Sequence, residues 1–163
     1  MLEIDVSALL DKPGASRRVR LEEPVAGLAT ELAAVPEEPP VGLEVLLESV
    51  VEGIYVTGSV WGPMRLSCAR CLTDFEREFR LEVAELYARE PEEADAYPLG
   101  DGVLDLAPMI RDAVLLEMPF APLCREDCRG LCERCGGNRN RDECSCAPRV
   151  DPRWAELEKL NLE

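Results

Sequence analysis

The sequence predicts an α+β protein: an antiparallel β-sheet or partly open β-barrel with a few packed helices and a cysteine-rich, zinc-binding appendage. Three observations predict it. Between residues 41 and 87, apolar and polar residues alternate over strand-length runs. One stretch near 108–118 places apolar residues at helical spacing instead. Six of the eight cysteines fall within the 23 residues from Cys124 to Cys146, a segment too poor in apolar side chains to fold without a staple.

Taken in order, Leu2, Ile4 and Val6 alternate with polar residues as in a short strand, and Asp11-Lys12-Pro13-Gly14 forms a turn. Residues 16–22 read as a second strand, and residues 36–40 as an acidic, proline-rich loop. Val41, Leu43, Val45 and Leu47 mark a half-buried strand. After a turn at Glu52-Gly53, Ile54 to Trp61 reads as the next strand, with Ile54, Val56, Gly58 and Val60 on one face. Gly62-Pro63 is read as another turn, and Met64 to Ser67 leads into Cys68. Phe75, Phe79, Leu81 and Val83 define a strand through about Tyr87, with Arg77 out of pattern. Residues 88–102 are acidic and broken by Pro and Gly, the composition of a mobile loop. Val103, Leu104 and Leu106 give a short strand. Asp105 stands where a helix cap belongs, with Pro108 in the first turn and Ile110, Val114, Leu115 and Met118 on the apolar stripe. Pro152 to Leu162 reads as a C-terminal helix. Trp61, Trp154 and the three phenylalanines read as core and staple residues. The organisation expected is a β-rich acidic body over 1–120, a cysteine-rich zinc segment over 121–149 and the C-terminal helix over 150–163.

Composition bounds the function. No run of 18 apolar residues exists, so no membrane span is expected. The acidic N-terminus lacks the layout of a secretory signal, which points to the cytoplasm, where paired cysteines are metal ligands more often than disulfides. The absence of histidine excludes Ser-His-Asp and Cys-His catalysis within the chain. The net charge of −15 is uneven: residues 1–120 carry −14, and residues 121–149 carry +1. A body this acidic repels a phosphate backbone, so general nucleic-acid binding is disfavoured and a basic protein partner is natural.

The cysteines carry the chemistry. Cys68 and Cys71 form one C-x2-C; Cys132 and Cys135 form another, followed by Gly136-Gly137 where a metal-binding turn needs positive φ. Cys144 and Cys146 can close a site with Cys132 and Cys135, leaving Cys68, Cys71, Cys124 and Cys128 for a second four-thiolate site that pins the segment to the body. Other partitions remain open, since Cys128 and Cys132 are only four apart. Two structural zinc ions are expected rather than a catalytic one, because all ligands are Cys and none is left over for an open position. The rivals are weaker. Cys128-x3-Cys132-x2-Cys135 has the spacing of radical iron–sulfur enzymes, but only 28 residues follow it, and nothing resembles a thioredoxin unit around Cys68.

Set out together, Cys68-Ala69-Arg70-Cys71-Leu72, then Leu123-Cys124-x3-Cys128-Arg129-Gly130-Leu131-Cys132-x2-Cys135-Gly136-x-Asn138-x-Asn140, then Cys144-x-Cys146 and Asp151-Pro152-Arg153-Trp154 resemble the bacterial YceD family, the large ribosomal RNA subunit accumulation proteins. The resemblance covers roughly residues 40–163; Arg139 departs from it, standing where an apolar residue is expected. It implies a non-enzymatic role in accumulation or maturation of large-subunit ribosomal RNA. The implied partner is the precursor large ribosomal subunit, through rRNA or a basic ribosomal protein, with no small-molecule substrate. On that reading Arg125, Arg129, Arg134, Arg139 and Arg141, with Asn138 and Asn140, are the candidate RNA contacts. The plainer reading of the arginines is that they balance thiolate charge. A second hypothesis makes the acidic body a module for a basic ribosomal protein or an RNA-processing enzyme, without direct RNA contact.

Overall fold

The computed structural model describes residues 2–91 and 96–146, and Arg153. Its strands are β1 (Glu3–Asp5), β2 (Ser16–Glu23), β3 (Ala33–Ala34), β4 (Val41–Ser49), β5 (Gly53–Ser67), β6 (Asp74–Ala88), β7 (Tyr97–Pro98) and β8 (Val103–Asp105), followed by one helix, α1 (Ala107–Glu117). The main sheet runs β2-β4-β5-β6-β7, with β3 added beside β5. All its pairings are antiparallel except β6 with β7. β1 and β8 form a separate antiparallel pair.

The sheet has an apolar face and a charged one, because the alternation of β4 is kept in register across its neighbours. Val19, Val45, Val60 and Leu43 lie in one core with Ile54, Val56 and Val83. That core is completed by Leu2, Ile4 and Val6 from the β1 region and by Met109, Ile110 and Val114 of α1. The strand pair and the helix therefore cover the inner face. The N-cap of α1 is Leu106, which makes no side-chain cap bond, rather than the expected Asp105; Asp105, one residue earlier, accepts at Oδ1 from the Ala107 N–H at 2.9 Å.

Several expectations are corrected. The fold is mostly sheet with a single helix among the described residues, more β than α+β; of the two expected sheet forms the open sheet is the one found, not the barrel. The inner face is covered by α1 together with the β1–β8 pair, so the described part of the core uses one helix. The helix expected over 152–162, with Trp154, lies outside the described residues. Gly62-Pro63 makes no turn: β5 continues through it, opposite Phe79 and Glu78 of β6. Pairing with β4 ends at Trp61, and pairing with β3 begins at Arg65. Pro63 thus stands where that side of β5 lacks a neighbour, and a strand tolerates a missing N–H there. Within the expected loop, Tyr97 stacks on Tyr87 with ring centroids 5.3 Å apart and donates to Asp112 at 2.9 Å, giving β7 its two residues. Phe120 is fully exposed, just beyond α1 where the chain leaves the core for the cysteines.

Trp61 is a staple on the outer face rather than a core residue. Its indole lies across Gly42 of β4, and the Arg20 and Arg80 guanidinium carbons sit 5.7 and 5.2 Å from the ring centroid. A Cβ at position 42 would meet the indole at 2.5 Å. Gly42→Ala is therefore expected to destabilise the chain by about 1–3 kcal/mol. In a Trp61→Ala background the same change should have much less effect, a coupling measurable by a double-mutant cycle of denaturant unfolding.

Candidate metal centre

The β5–β6 hairpin turns on the first C-x2-C. Ser67 pairs with Asp74 at the end of the ladder, so Cys68 to Thr73 form the loop. The Leu72 N–H donates to the Cys68 carbonyl at 2.9 Å, and the Cys68 N–H donates to the Thr73 carbonyl at 3.0 Å. These two bonds force Leu72 to φ +57°, a left-handed conformation that is unusual for leucine. The second C-x2-C repeats the same turn. Gly136 N–H donates to Cys132 O and Cys132 N–H to Gly137 O, both at 2.8 Å, with Gly136 at φ +71°. Glycine supplies this geometry freely; Leu72 adopts it while 62% exposed, with little packing in return.

Chain crossings then bring the distant cysteines in. Ala69 N–H donates to the Pro122 carbonyl at 2.8 Å, Arg70 Nη1 to the Cys128 carbonyl at 3.1 Å, and Leu131 N–H to the Arg70 carbonyl at 3.0 Å. The sulfurs of Cys68, Cys71, Cys124 and Cys128 lie within 4.8 Å of one another, and so do those of Cys132, Cys135, Cys144 and Cys146. Cys68–Cys128 and Cys71–Cys124 are each separated by 3.7 Å, Sγ to Sγ. A tetrahedral ion with metal–sulfur bonds near 2.3 Å holds its sulfurs about 3.8 Å apart, so this donor set fits one. Each group of four can hold a metal ion, with every donor a thiol and no position left for water. The first cluster is largely enclosed; in the second, Cys135 and Cys146 are exposed.

The thiols within each cluster are driven in opposite directions. Burial pushes Cys68 up, but the N–H groups of Cys124, Cys71 and Arg70 outweigh it and bring its pKa to about 6. The N–H groups of Cys135 and Arg134 bring Cys132 to about 6 as well. Burial and the neighbouring sulfur of Cys71 push Cys124 up to about 12; hydrogen bonding to the sulfurs of Cys135 and Cys132 raises Cys146 to about 12. Four thiolates this close cannot all ionise alone; a bound cation removes that repulsion.

The remaining candidate residues divide in two. Asn138 and Asn140 face inward and tie the clusters together. Asn138 Nδ2 donates to Thr73 Oγ1 at 3.2 Å, while Asn140 Nδ2 donates to Cys128 Sγ at 3.3 Å and to Asn138 Oδ1 at 2.9 Å. Asn140 Oδ1 accepts from the Arg129 N–H and from Arg125 Nη2, both at 2.8 Å. Arg125 also meets Asp127 at 3.3 Å. Arg129, Arg134, Arg139 and Arg141 are exposed. Thr73 and Arg70 are the residues that spacing rules missed. Aligning the two C-x2-C turns would have matched Thr73 to Gly137 and Leu72 to Gly136.

The fold and site define a class: a β-sheet protein whose longest hairpin and following segment converge on two four-cysteine clusters. Residues 56–161 match the family described as large ribosomal RNA subunit accumulation protein YceD. An uncharacterized protein of Mycobacterium tuberculosis is 34% identical over 168 residues, covering 98% of this chain and 81% of its own. Uncharacterized protein YlbN of Bacillus subtilis is 31% identical over 108 residues, 63% of each chain. A chloroplastic protein of Zea mays, named large ribosomal RNA subunit accumulation protein YCED homolog 1, is 39% identical over 54 residues, 32% of this chain and 18% of its own. No solved structure matches. The chain belongs to the YceD family.

The two turns generate opposite expectations for one backbone geometry. Leu72→Gly relieves a left-handed leucine and should leave stability unchanged or raise it by up to about 1 kcal/mol. Gly136→Leu, where a Cβ meets nothing within 4 Å, should lower it by about 1–2 kcal/mol through backbone strain alone. Thermal unfolding of both variants beside the parent chain reads the difference.

Proposed function

We propose that this chain is a non-enzymatic factor in the accumulation or maturation of large-subunit ribosomal RNA. On this reading it works in the cytoplasm on precursor large subunits, takes no small-molecule substrate, and holds a structural zinc ion in each four-cysteine cluster. The observation that carries the reading is family membership, with plastid relatives named for large ribosomal RNA subunit accumulation. The all-thiol donor sets support zinc, which needs four soft ligands and no open position to act as a staple. No helix among the described residues is long and apolar enough to cross a membrane.

The acidic body of 1–120 and the cysteine segment of 121–149 are the two working surfaces of this proposal. The exposed Arg129, Arg134, Arg139 and Arg141, with Arg125 beside them, supply contacts to rRNA phosphates on the part of the chain that is not acidic. Asn138 and Asn140 act there by fixing the segment, since their amides are committed to Thr73, Cys128 and Arg125. A second reading, in which the body receives a basic ribosomal protein or an RNA-processing enzyme, is favoured by the −14 charge of residues 1–120.

Mass spectrometry under native conditions should find two zinc ions per chain. Binding must displace protons from the thiols held near 12, Cys124 and Cys146, so zinc affinity falls as pH falls and acid should release the metal. Asn140→Ala should weaken zinc at the first cluster by about 10–100-fold while the second keeps its ion. One zinc, or none, in the parent chain counts against the metal assignment.

Gradient sedimentation of tagged chain from lysate should place it with immature large subunits. Charge reversal at Arg134, Arg139 and Arg141 should move it to the top of the gradient. Association that survives both this reversal and nuclease treatment would remove the RNA contact and leave the protein contact; no association in the parent chain would remove the ribosomal reading.

A further inference from the structure

The outer side of β6 is an unfilled position in the sheet. β5 pairs with β6 from Asp74 to Ala88, whereas β7 meets its other side only at Tyr87 and Ala88. Among the described residues no strand pairs with that side from Asp74 to Leu86. At about 3.3 Å per residue this is an edge of roughly 40 Å. A long bare edge is a template for another strand, and its sequence decides which one.

The edge is acidic. It carries Asp74, Glu76, Glu78, Glu82 and Glu85 against Arg77 and Arg80. Both arginines are engaged within the chain, Arg80 on Trp61 and Ser59 and Arg77 over the Phe75 ring. Two copies of this edge would place like charges opposite each other, which disfavours pairing between them. Arg77 and Glu85 also project toward the face where Phe79, Leu81 and Val83 lie, a device that discourages undirected strand addition.

Two features at the Asp74 end give the edge an anchor. The left-handed backbone of Leu72 closes the Cys68–Thr73 turn, and it leaves a large apolar side chain 62% exposed beside the end of the edge, where a partner can cover it. Nearby, a cavity of about 610 Å³ is lined by Glu31, Asp74 and Glu76 together with Phe75 and Arg65. Asp74 already accepts from Ser67 Oγ and Glu76 from Arg65 Nε at 3.2 Å, while Arg77 lies over the Phe75 ring; these contacts are exposed and individually weak, so an incoming lysine or arginine side chain can share the carboxylates.

We propose that this edge receives an extended, lysine- and arginine-rich segment of a partner protein as an added strand, with Leu72 as its apolar anchor and the cavity taking a basic side chain. The inference rests on the protein-partner reading above and specifies its site.

The test titrates the full chain, zinc-loaded, with a 12-residue peptide of alternating lysine and threonine, followed by hydrogen exchange and calorimetry. The expected result is new protection of the amides between Asp74 and Leu86. Affinity should drop at least tenfold for the same peptide N-methylated at alternate amides, which keeps the charge but cannot form a ladder. Glu78→Lys with Glu82→Lys should weaken binding at least tenfold, and Leu72→Ser, which retains the fold, should weaken it severalfold. Equal binding of the N-methylated peptide, protection elsewhere, or protection of β6 by a 12-nucleotide single-stranded RNA would overturn the proposal. So would concentration-dependent self-association through the edge of β2, where Arg17, Arg18 and Arg20 make a second copy the complementary strand. If the parent chain travels with precursor subunits but never binds the peptide, the edge assignment falls and the ribosomal reading stands; if it binds the peptide without travelling with subunits, the reverse holds.

Discussion

Mutual repulsion among four crowded thiolates is the constraint on which the architecture depends. Sulfur atoms 3.7 Å apart, brought from positions 68 and 128 or 71 and 124, do not stay together through their own chemistry. Something must hold the backbone segments first. The long β5–β6 ladder fixes one end by carrying Cys68 and Cys71 at its tip. The crossings through Ala69, Arg70 and Leu131 fix the other by binding the cysteine segment main chain to main chain. The sheet is thus a platform for the hairpin loop, and its core is what makes that loop a fixed object.

The second cluster is built differently. Its four cysteines are local, its first turn copies the hairpin loop bond for bond, and two of its sulfurs face solvent. What joins it to the first is a pair of amides. Asn138 reaches the hairpin at Thr73, and Asn140 reaches Cys128 from the far side of the same turn. Side chains that look like base-reading groups in a list of residues are, in space, the rivets between two clusters. The arginines around them remain on the surface. Inward-tied amides and exposed arginines therefore alternate along one short segment.

Much of this was legible in the sequence where a period or a spacing carried the signal. The alternation in β4 and β6 and the helical stripe of α1 each follow from burial on one face, and cysteine spacing alone suggests the two sets of four sulfurs that the structure brings together. Illegible features depend on neighbours that are remote in sequence. Gly62-Pro63 reads as a turn until one knows that β4 has ended and β3 has not begun beside it. Trp61 reads as core until Gly42 and the two arginines are placed around it. Phe120 reads as apolar and therefore buried, but chain direction carries it off the core. The open sheet and the single described helix reflect the same limit, since which elements cover an inner face is decided by packing. Leu72 carries no compositional sign of left-handed backbone; only its match to Gly136 in the second C-x2-C turn could have signalled it.

The unequal reach of the two clusters fixes an order in time. Cys132 to Cys146 span a short stretch, and closing so small a loop sacrifices little chain freedom. Cys68 and Cys128 are 60 positions apart, and their loop includes β6, β7, β8 and α1. As the chain emerges from its own ribosome, Cys68 and Cys71 leave first and wait unpartnered while everything up to Cys128 is synthesised. Closure of the inner cluster therefore acts as a completion mark. It requires that the chain through β6, β7, β8 and α1 has been made, and it ties the segment that follows Cys128 to the hairpin.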